Sequence, residues 1–291
     1  MTDVRIHPET ETTAASKTDV KAYLREWAMP HVLCPGCAHG IVLRSFLEAV
    51  DQLQLDQNKI AMVAGIGCSS RLAGYVDFCT LHGTHGRAPA FATGLKLARP
   101  DLNVVVVTGD GDGLAIGGNH LIHAARRNID MTVLLLNNSI YGMTGGQAAP
   151  TTPEGAIAST TPQGNAEPGF DACELLKGAG ASFVARVFAA NPIAMTKVMA
   201  EGLSHPGFAF IELVSDCPEY FGRYNKIGGG PEMLNWIAMR DEGVAGPLSD
   251  KRFVEHVPVD LPAPALKTGV LKKEIRPVFQ GAGAGGGRGS Q

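Results

Sequence analysis

Residues 104–113 read VVVVTGDGDG, a run of four valines that passes through a threonine into a glycine-rich turn. An uninterrupted apolar run is typical of a strand buried on both faces of a parallel sheet. Glycines let the backbone approach a phosphate closely, and the first turn of the helix expected next offers free N–H groups to an anion. Asp110 adds a hard oxygen ligand of the kind that Mg²⁺ prefers. The stretch therefore predicts a strand that leads into a site for a diphosphate and a metal ion.

The next apolar run along the chain carries a second part of this site. Residues 131–136 (MTVLLL) are followed by Asn137-Asn138-Ser139-Ile140-Tyr141-Gly142. Adjacent parallel strands bring their carboxyl ends side by side, so we expect Asp110 and Asn138 to meet on one ion. Leu114 stands where a dinucleotide-binding fingerprint needs glycine and where an EF-hand needs an oxygen ligand, which excludes both motifs. A tight glycine turn with a capping aspartate remains the plain alternative.

Apolar runs and helical patterns alternate through the middle of the chain. Strands are predicted at 60–65, 103–108, 131–137, 183–188 and 208–214, and helices at 40–52, 89–98, 114–127, 172–177 and 192–203. This alternation indicates an α/β fold with a mostly parallel sheet and helices on both faces. We divide the chain into a flexible N-terminal extension (1–25), a cofactor- and metal-binding domain (26–225), a partner-contacting segment (226–279) and a disordered glycine-rich tail (280–291).

Composition narrows the class of protein. The chain has 291 residues, 45% of them hydrophobic, and a formal net charge of -3, so no strong basic field points to nucleic acid. Its apolar runs are too short to cross a bilayer, and its first twenty residues lack the apolar core of a secretory signal. We therefore expect a cytoplasmic protein that binds neither membrane nor nucleic acid.

Six cysteines in such a chain are more typical of metal or redox chemistry than of a disulfide framework. Cys34 and Cys37 form a C-x-x-C pair, while Cys68 and Cys217 each follow a predicted strand, the latter just before Pro218. Together they could bind Zn²⁺ or a [4Fe–4S] cluster, and the pair alone also fits a thioredoxin-like redox motif. The other two cysteines, Cys79 and Cys173, are predicted to be small buried hydrophobic side chains.

The ordered set of motifs resembles one family. CPGC, GIGCSSR, HGR, GDGD, NNSIYGMTGGQ and SDCP follow one another between residues 34 and 218. This combination resembles the β subunits of 2-oxoacid:ferredoxin oxidoreductases, with the 2-oxoglutarate branch as the nearest match. The resemblance implies a thiamine diphosphate-binding fold and the CoA-dependent oxidative decarboxylation of a 2-oxo acid, with 2-oxoglutarate to succinyl-CoA as the expected conversion. A pyruvate or broad-range enzyme is the alternative within the family.

The resemblance also implies a role for individual residues. Magnesium would be held by Asp110, Asn138 and Ile140, and one [4Fe–4S] cluster by Cys34, Cys37, Cys68 and Cys217. His85 would be catalytic. Thiamine diphosphate would contact the residues that line these motifs: Ile66, Gly67, Cys68, Ser69, His85, Gly109, Gly111, Asp112, Gly142, Met143 and Thr144. Electrons would pass through the cluster to ferredoxin.

Two further expectations follow from the layout of the chain. The stretch 142–170 is long and rich in Gly, Pro and Thr, so we expect it to fold over the site. A single sheet uses up the region between the tails, so an α subunit is expected to supply the pyrimidine-binding domain and its glutamate. Two other classes stay open: a non-oxidative thiamine enzyme, and a zinc-stabilised binding module without this activity.

Overall fold

The alternating pattern folds into one seven-stranded sheet with helices on both sides. The computed structural model describes residues 19–242 and 265–281. The strands are β1 (Ile60–Ala64), β2 (Cys79–His82), β3 (Asn103–Gly109), β4 (Met131–Asn137), β5 (Ile140–Tyr141), β6 (Gln147–Ala148), β7 (Phe183–Phe188), β8 (Phe208–Val214) and β9 (Gly269–Lys273). The helices are α1 (His39–Gln52), α2 (Leu72–Tyr75), α3 (Ala88–Ala98), α4 (Gly118–Arg127), α5 (Ala172–Gly178), α6 (Pro192–Leu203) and α7 (Gly230–Ala238).

The strand order brings distant motifs to the same edge. The sheet runs β2-β1-β3-β4-β8-β7-β9, and every neighbouring pair is parallel except β7 with β9. In this register Gly109 lies opposite Leu136, and Asn137 lies opposite Val214. The segments that follow β1, β3, β4 and β8 therefore leave the sheet next to one another.

Two apolar cores hold the layers together, one on each face. One core joins α1 and α6 to side chains such as Met62, Val105 and Leu134; the other joins α3, α4 and α5 to side chains such as Val63, Val106 and Val133. Consecutive residues of one strand thus serve opposite faces, and β4 and β8 are buried along their whole length. This explains why the central strands read as continuous apolar runs rather than as alternating ones.

The predicted α/β fold is confirmed, and three strand predictions match at both ends. One helix differs: in place of a helix from Leu114, the chain makes a wide π-type turn at Gly111–Ile116, and α4 begins at Gly118. The edge strands β2 and β9 were not predicted, because β2 is short and largely exposed and β9 lies in a segment of mixed composition. Cys173 is buried as expected, but the prediction for Cys79 was wrong, since it lies exposed on β2.

The predicted outer segments are described only in part. Residues 1–18 and the tail from 282 lie outside the described residues, as does 243–264 of the partner-contacting segment. Within the range 1–25, Arg25 donates from its backbone to Tyr75 O and from its guanidinium to Phe78 O. Within 226–279, α7 packs Trp236 into the first core and β9 extends the sheet.

Candidate cofactor and metal site

A cavity opens at the carboxyl edge of β1, β3 and β4. Its wall contains every residue that the sequence assigned to the diphosphate, the magnesium ion or the thiamine cofactor, together with three that it did not. The predicted ones are Ile66, Gly67, Cys68, Ser69, His85, Gly109, Asp110, Gly111, Asp112, Asn138, Ile140, Gly142, Met143 and Thr144; the additional ones are His39, Leu136 and Tyr141. Residues from five separate parts of the chain thus meet around one space, which we call the cofactor cavity.

Asp110 is the first residue after β3 and is 3% exposed. Burial raises the pKa of its carboxyl group to about 7, although a hydrogen bond from Thr151 Oγ1 to Oδ2 at 2.5 Å opposes this shift. A carboxylate removed from water is costly unless a cation or donors compensate it. A cation beside Asp110 would offset this cost.

Asp112, the second aspartate of the motif, accepts hydrogen bonds from the protein itself. Its Oδ1 accepts hydrogen bonds from Gly86 N at 2.7 Å and Ile66 N at 3.2 Å, and its Oδ2 accepts one from Thr108 Oγ1 at 2.6 Å. His85 Nδ1 also lies 2.7 Å from Oδ1, without the alignment of a hydrogen bond. The carboxylate therefore joins the loops that follow β1 and β2 to the turn after β3, and so fixes the shape of the cavity.

The two asparagines at the end of β4 also make different contacts. Asn137 donates to Glu212 Oε1 at 2.7 Å and accepts from Ser139 N at 3.0 Å, so it holds the turn. Asn138 lines the cofactor cavity; its Oδ1 accepts from Ile140 N at 3.3 Å, and its Nδ2 lies 3.8 Å from Cys68 Sγ. Asp110, Asn138 and Ile140 thus line one cavity, and each has an oxygen of the hard type that suits Mg²⁺.

Glycine is required at 111 because an aromatic ring lies against it. A Cβ on Gly111 would come within 2.3 Å of Tyr141 Cε1, and the Tyr141 hydroxyl donates to Gly111 O at 2.9 Å. The ring also packs edge-on to the imidazole of His85. Close packing of the turn after β3 against the turn after β4 therefore depends on the missing side chain.

The stretch 142–170 lies against the same site. Thr151 reaches Asp110, Thr152 Oγ1 donates to Ser139 O at 2.7 Å, and Asn165 donates to Thr152 O at 2.9 Å. Met143 and Thr144 are part of the cavity wall. This agrees with the expectation that the long connection folds over the site. Its Thr151 and Thr152 side chains bond to the turns after β3 and β4.

The four predicted cluster ligands meet in a second cavity next to the first. Cys34, Cys37, Cys68 and Cys217 line it, with Leu33, Met143 and Tyr220 among the neighbouring side chains. The loop of the C-x-x-C pair is tied to the end of β8, because Asp216 Oδ1 accepts a hydrogen bond from Ala38 N at 2.7 Å. We call this space the cysteine cavity.

Burial and mutual proximity perturb these thiols. Burial raises the pKa of Cys68 to about 11, and nearby Cys217 and Asp110 raise it further. Burial likewise raises the pKa of Cys37 and of Cys217. These three thiols would need a cationic centre beside them to become thiolates at neutral pH, and all six cysteines of the chain are free rather than paired in disulfides.

The spacing of the four cysteine sulfurs bears on which metal centre they could bind. A tetrahedral zinc site with bonds of about 2.3 Å puts its sulfurs roughly 3.8 Å apart. Within the described ranges, only Asp171, Cys173 and Glu212 bring three such ligand atoms within 4.8 Å of one another. That group is explained by Arg186, which bonds Glu212 at 2.6 Å and Asp171 at 2.5 Å. No three of the four cysteine sulfurs therefore lie within 4.8 Å of one another in the described structure, whereas a tetrahedral zinc site would bring all four within that distance.

The two cavities share a wall. Cys68, Asn138, Gly142 and Met143 line both of them. A Cβ on Gly142 would lie 3.3 Å from Cys217 Sγ and 3.7 Å from Cys68 Sγ, so this glycine brings the backbone close to two sulfurs. A group bound in one cavity is separated from the other by a single layer of residues.

Sequence reasoning missed three polar contributors. Thr151 and Tyr141 lie in or beside recognised motifs, but no spacing rule identifies which of their neighbours they contact. His39 follows Cys37 by two residues and is 0% exposed, and burial lowers the pKa of its imidazole to about 4. Its position in the run Cys37-Ala-His-Gly was the only available signal.

Comparisons with known proteins agree with this geometry. The domain model "Thiamine pyrophosphate enzyme, C-terminal TPP binding domain" matches residues 65–213, which include the turns after β3 and β4. The fold and the cavity therefore define a thiamine diphosphate-binding domain.

Two curated relatives and one solved structure narrow the family. The "2-oxoglutarate synthase subunit KorB" of Methanothermobacter marburgensis is 57% identical over 74% of this chain and 75% of its own length. The "2-oxoglutarate oxidoreductase subunit KorB" of Mycobacterium tuberculosis is 48% identical over 64% of this chain and 50% of its own length. A solved 2-oxoglutarate:ferredoxin oxidoreductase from Magnetococcus marinus, with 2-oxoglutarate, coenzyme A and succinyl-CoA bound, superposes with a TM-score of 0.77 at 34% identity, covering 90% of this chain and 87% of that one. This chain belongs to the KorB family of 2-oxoglutarate synthase subunits.

Helices of the described ranges are all too short or too polar to pass through a lipid bilayer.

Proposed function

We propose that this chain is the β subunit of a 2-oxoglutarate:ferredoxin oxidoreductase, which converts 2-oxoglutarate and CoA to succinyl-CoA in a reversible reaction. The observation that supports this proposal most strongly is that two cavities share a wall. One is suited to thiamine diphosphate with magnesium, and the other is lined by four cysteines. Family membership supports the choice of substrate. A pyruvate or broad-range enzyme is the alternative within the family.

The residues of the cofactor cavity fit the proposed cofactor and its cation. Asp110 and Asn138 supply side-chain oxygens, and Ile140 supplies a carbonyl, with Thr151 orienting Asp110. Gly111 and the turn that it begins would bind the diphosphate, with their N–H groups donating hydrogen bonds to its oxygens. When bound, thiamine diphosphate supplies the carbon nucleophile and the electron sink that 2-oxo acid decarboxylation needs.

The cysteine cavity fits a [4Fe–4S] cluster held by Cys34, Cys37, Cys68 and Cys217. Iron centres of this type bind four thiolates, and the wide separation of these sulfurs disfavours the zinc-stabilised binding module. A cluster also distinguishes the proposed function from a non-oxidative thiamine enzyme, which has no use for an electron acceptor. When held by these four cysteines, such a cluster would supply one-electron transfer toward ferredoxin, and Cys68, Asn138, Gly142 and Met143 would form the single layer between it and the cofactor cavity.

Residues of this chain contribute positioning and proton transfer. Asp112 Oδ1 lies 2.7 Å from His85 Nδ1, so we propose Nε2 as the ring nitrogen that exchanges a proton with a ligand in the cavity. The His85 side chain is 41% exposed, so it stands where substrate would enter. We assign it a catalytic role as a proton donor or acceptor.

A partner chain would complete the site. The glutamate that such enzymes use to activate the aminopyrimidine ring is absent from the described lining of the cofactor cavity. Glu212 is buried and bonded to Arg186 and Asn137, and Glu174 pairs with Lys177. We therefore propose an α subunit that brings the pyrimidine-binding domain. The segment 226–279 is a proposed contact, since its Met239 and Ile275 are 45% and 74% exposed.

We further propose a cytoplasmic location, because six free thiols suit a reducing compartment.

The test is an anaerobic assay of the co-purified complex with CoA and a viologen dye across a panel of 2-oxo acids. We expect the highest kcat/KM with 2-oxoglutarate, and no turnover by this chain alone after the cluster, Mg²⁺ and thiamine diphosphate are restored. Equal turnover by the isolated chain would refute the incomplete site. A preference for pyruvate would move the enzyme to the other branch, and a colourless protein without iron would refute the cluster.

A further inference from the structure

His39 is a buried imidazole for which the described structure provides no hydrogen-bond partner. It begins α1, two residues after Cys37, and is 0% exposed. Neither Nδ1 nor Nε2 has a partner among the described residues. An imidazole carries at least one N–H in every protonation state, and a buried donor left unpaired costs roughly 1–3 kcal/mol. A side chain in this position therefore requires a hydrogen-bond partner that the described residues do not supply.

The position of His39 indicates in which cavity this hydrogen-bond partner would lie. Its side chain is part of the wall of the cofactor cavity, near Asp110, Gly111 and Asn138, whereas the residues that line the cysteine cavity do not include it. We do not expect His39 to bind magnesium, since Mg²⁺ prefers oxygen ligands and the turns after β3 and β4 already offer three of them. What remains in that cavity is the cofactor's own acceptor groups.

We infer that His39 donates a hydrogen bond to a diphosphate oxygen of the bound thiamine cofactor, as a binding residue in addition to the metal-mediated grip. The inference rests on the proposed thiamine diphosphate site. Its physical basis is that a diphosphate carries the strongest acceptors expected in this cavity, and that the described lining offers it no Lys or Arg. A neutral donor from α1 would therefore supplement the cation in binding the diphosphate.

The experiment measures cofactor affinity. The complete chain, co-expressed with its partner and stripped of cofactor under argon, is titrated calorimetrically with thiamine diphosphate at saturating Mg²⁺. His39→Leu keeps the volume of the side chain and removes the donor. We expect binding about 10- to 100-fold weaker, the usual range for a lost hydrogen bond to a charged group. Iron content and the reduction potential of the cluster should stay unchanged.

Two polar variants keep the test decisive if His39→Leu folds poorly. His39→Asn places its amide near the position of Nδ1, and His39→Gln places it near that of Nε2. We expect one of them, and not the other, to retain binding within a few-fold of wild type. The matched control is His205→Leu, which removes another buried imidazole, bonded to Ser182 at 2.8 Å beside the amino ends of β3 and β4.

Each outcome has one meaning. Wild-type affinity in all three His39 variants overturns the inference, as does equal weakening by His205→Leu, which would indicate a structural effect. A shifted cluster potential with unchanged cofactor affinity also overturns it and assigns the N–H to a sulfur. Wild-type protein that binds no thiamine diphosphate would refute the proposed function as well, which separates the two failures.

Discussion

Replacement of Asp110 by asparagine should weaken the cofactor site and stabilise the cofactor-free protein. Asp110 is 3% exposed, and burial raises its pKa from 3.8 to about 7. In the folded, cofactor-free chain the carboxyl group therefore holds its proton more tightly than in the unfolded chain. Where the folded state binds more protons, stability falls as the pH rises. This penalty begins near pH 4 and is complete near pH 7.

The size of the effect follows from the shift. About three pKa units correspond to about 4 kcal/mol of lost stability above pH 7, and roughly half of that remains at pH 5.5. The asparagine of the variant cannot ionise but can still accept the hydrogen bond from Thr151. We therefore expect Asp110→Asn to raise the free energy of unfolding by about 4 kcal/mol at pH 8 and by about 2 kcal/mol at pH 5.5.

The assay is denaturant unfolding of the cofactor-free protein under argon at both pH values, beside calorimetric titration with Mg²⁺ and thiamine diphosphate. The control is Asp56→Asn, because Asp56 caps an exposed helical turn through Asn58 N at 2.9 Å and asparagine caps equally well. Asp110→Asn should lose most of the cofactor affinity, whereas the control should retain it. A stability difference independent of pH, or unchanged affinity, would contradict the assignment of Asp110 as a buried metal ligand.

Two further predictions concern the cysteines and the buried ion pair. Cys68→Ser should lower iron and sulfide per chain well below wild type in a chemical assay, whereas Cys79→Ser, on the exposed edge strand, should leave both unchanged; equal iron loading in the two variants would remove Cys68 from the ligand set. Arg186→Met should cost about 3–5 kcal/mol in denaturant unfolding, because it leaves the carboxylate of Glu212 buried without its cation. The double variant Arg186→Met/Glu212→Leu should recover much of that loss, and additive losses would show that the pair is not coupled.

The sequence predicted most of the central sheet because its strands are buried on both faces. The apolar runs of β4 and β8 are bounded by glycine or polar residues, so these strands could be placed at both ends. The proximity of Asp110 and Asn138 was predictable because these residues follow strands that are adjacent in the chain and in the sheet.

Other parts of the site depend on long-range packing that spacing does not encode. Thr151 contacts Asp110 only because the connection after β6 turns back over the sheet, and His39 enters the cavity only because Asp216 holds the start of α1. The separation between sulfurs, which disfavours zinc, is likewise a property of the folded chain. Motif analysis indicated which residues carry the chemistry, and the fold added those that support them.

The antiparallel strand β9 also protects the sheet against self-association. It comes from the far end of the chain and covers β7, whose sequence FVARVF (183–188) is buried throughout. Without it, β7 would present an apolar strand with unpaired backbone groups, a template for intermolecular pairing. With it, the outermost strand carries Lys272 and Lys273, whose charges discourage such pairing. A truncated chain ending before residue 265 would thus be prone to aggregate, so a recombinant form of the protein should retain the segment through Lys273.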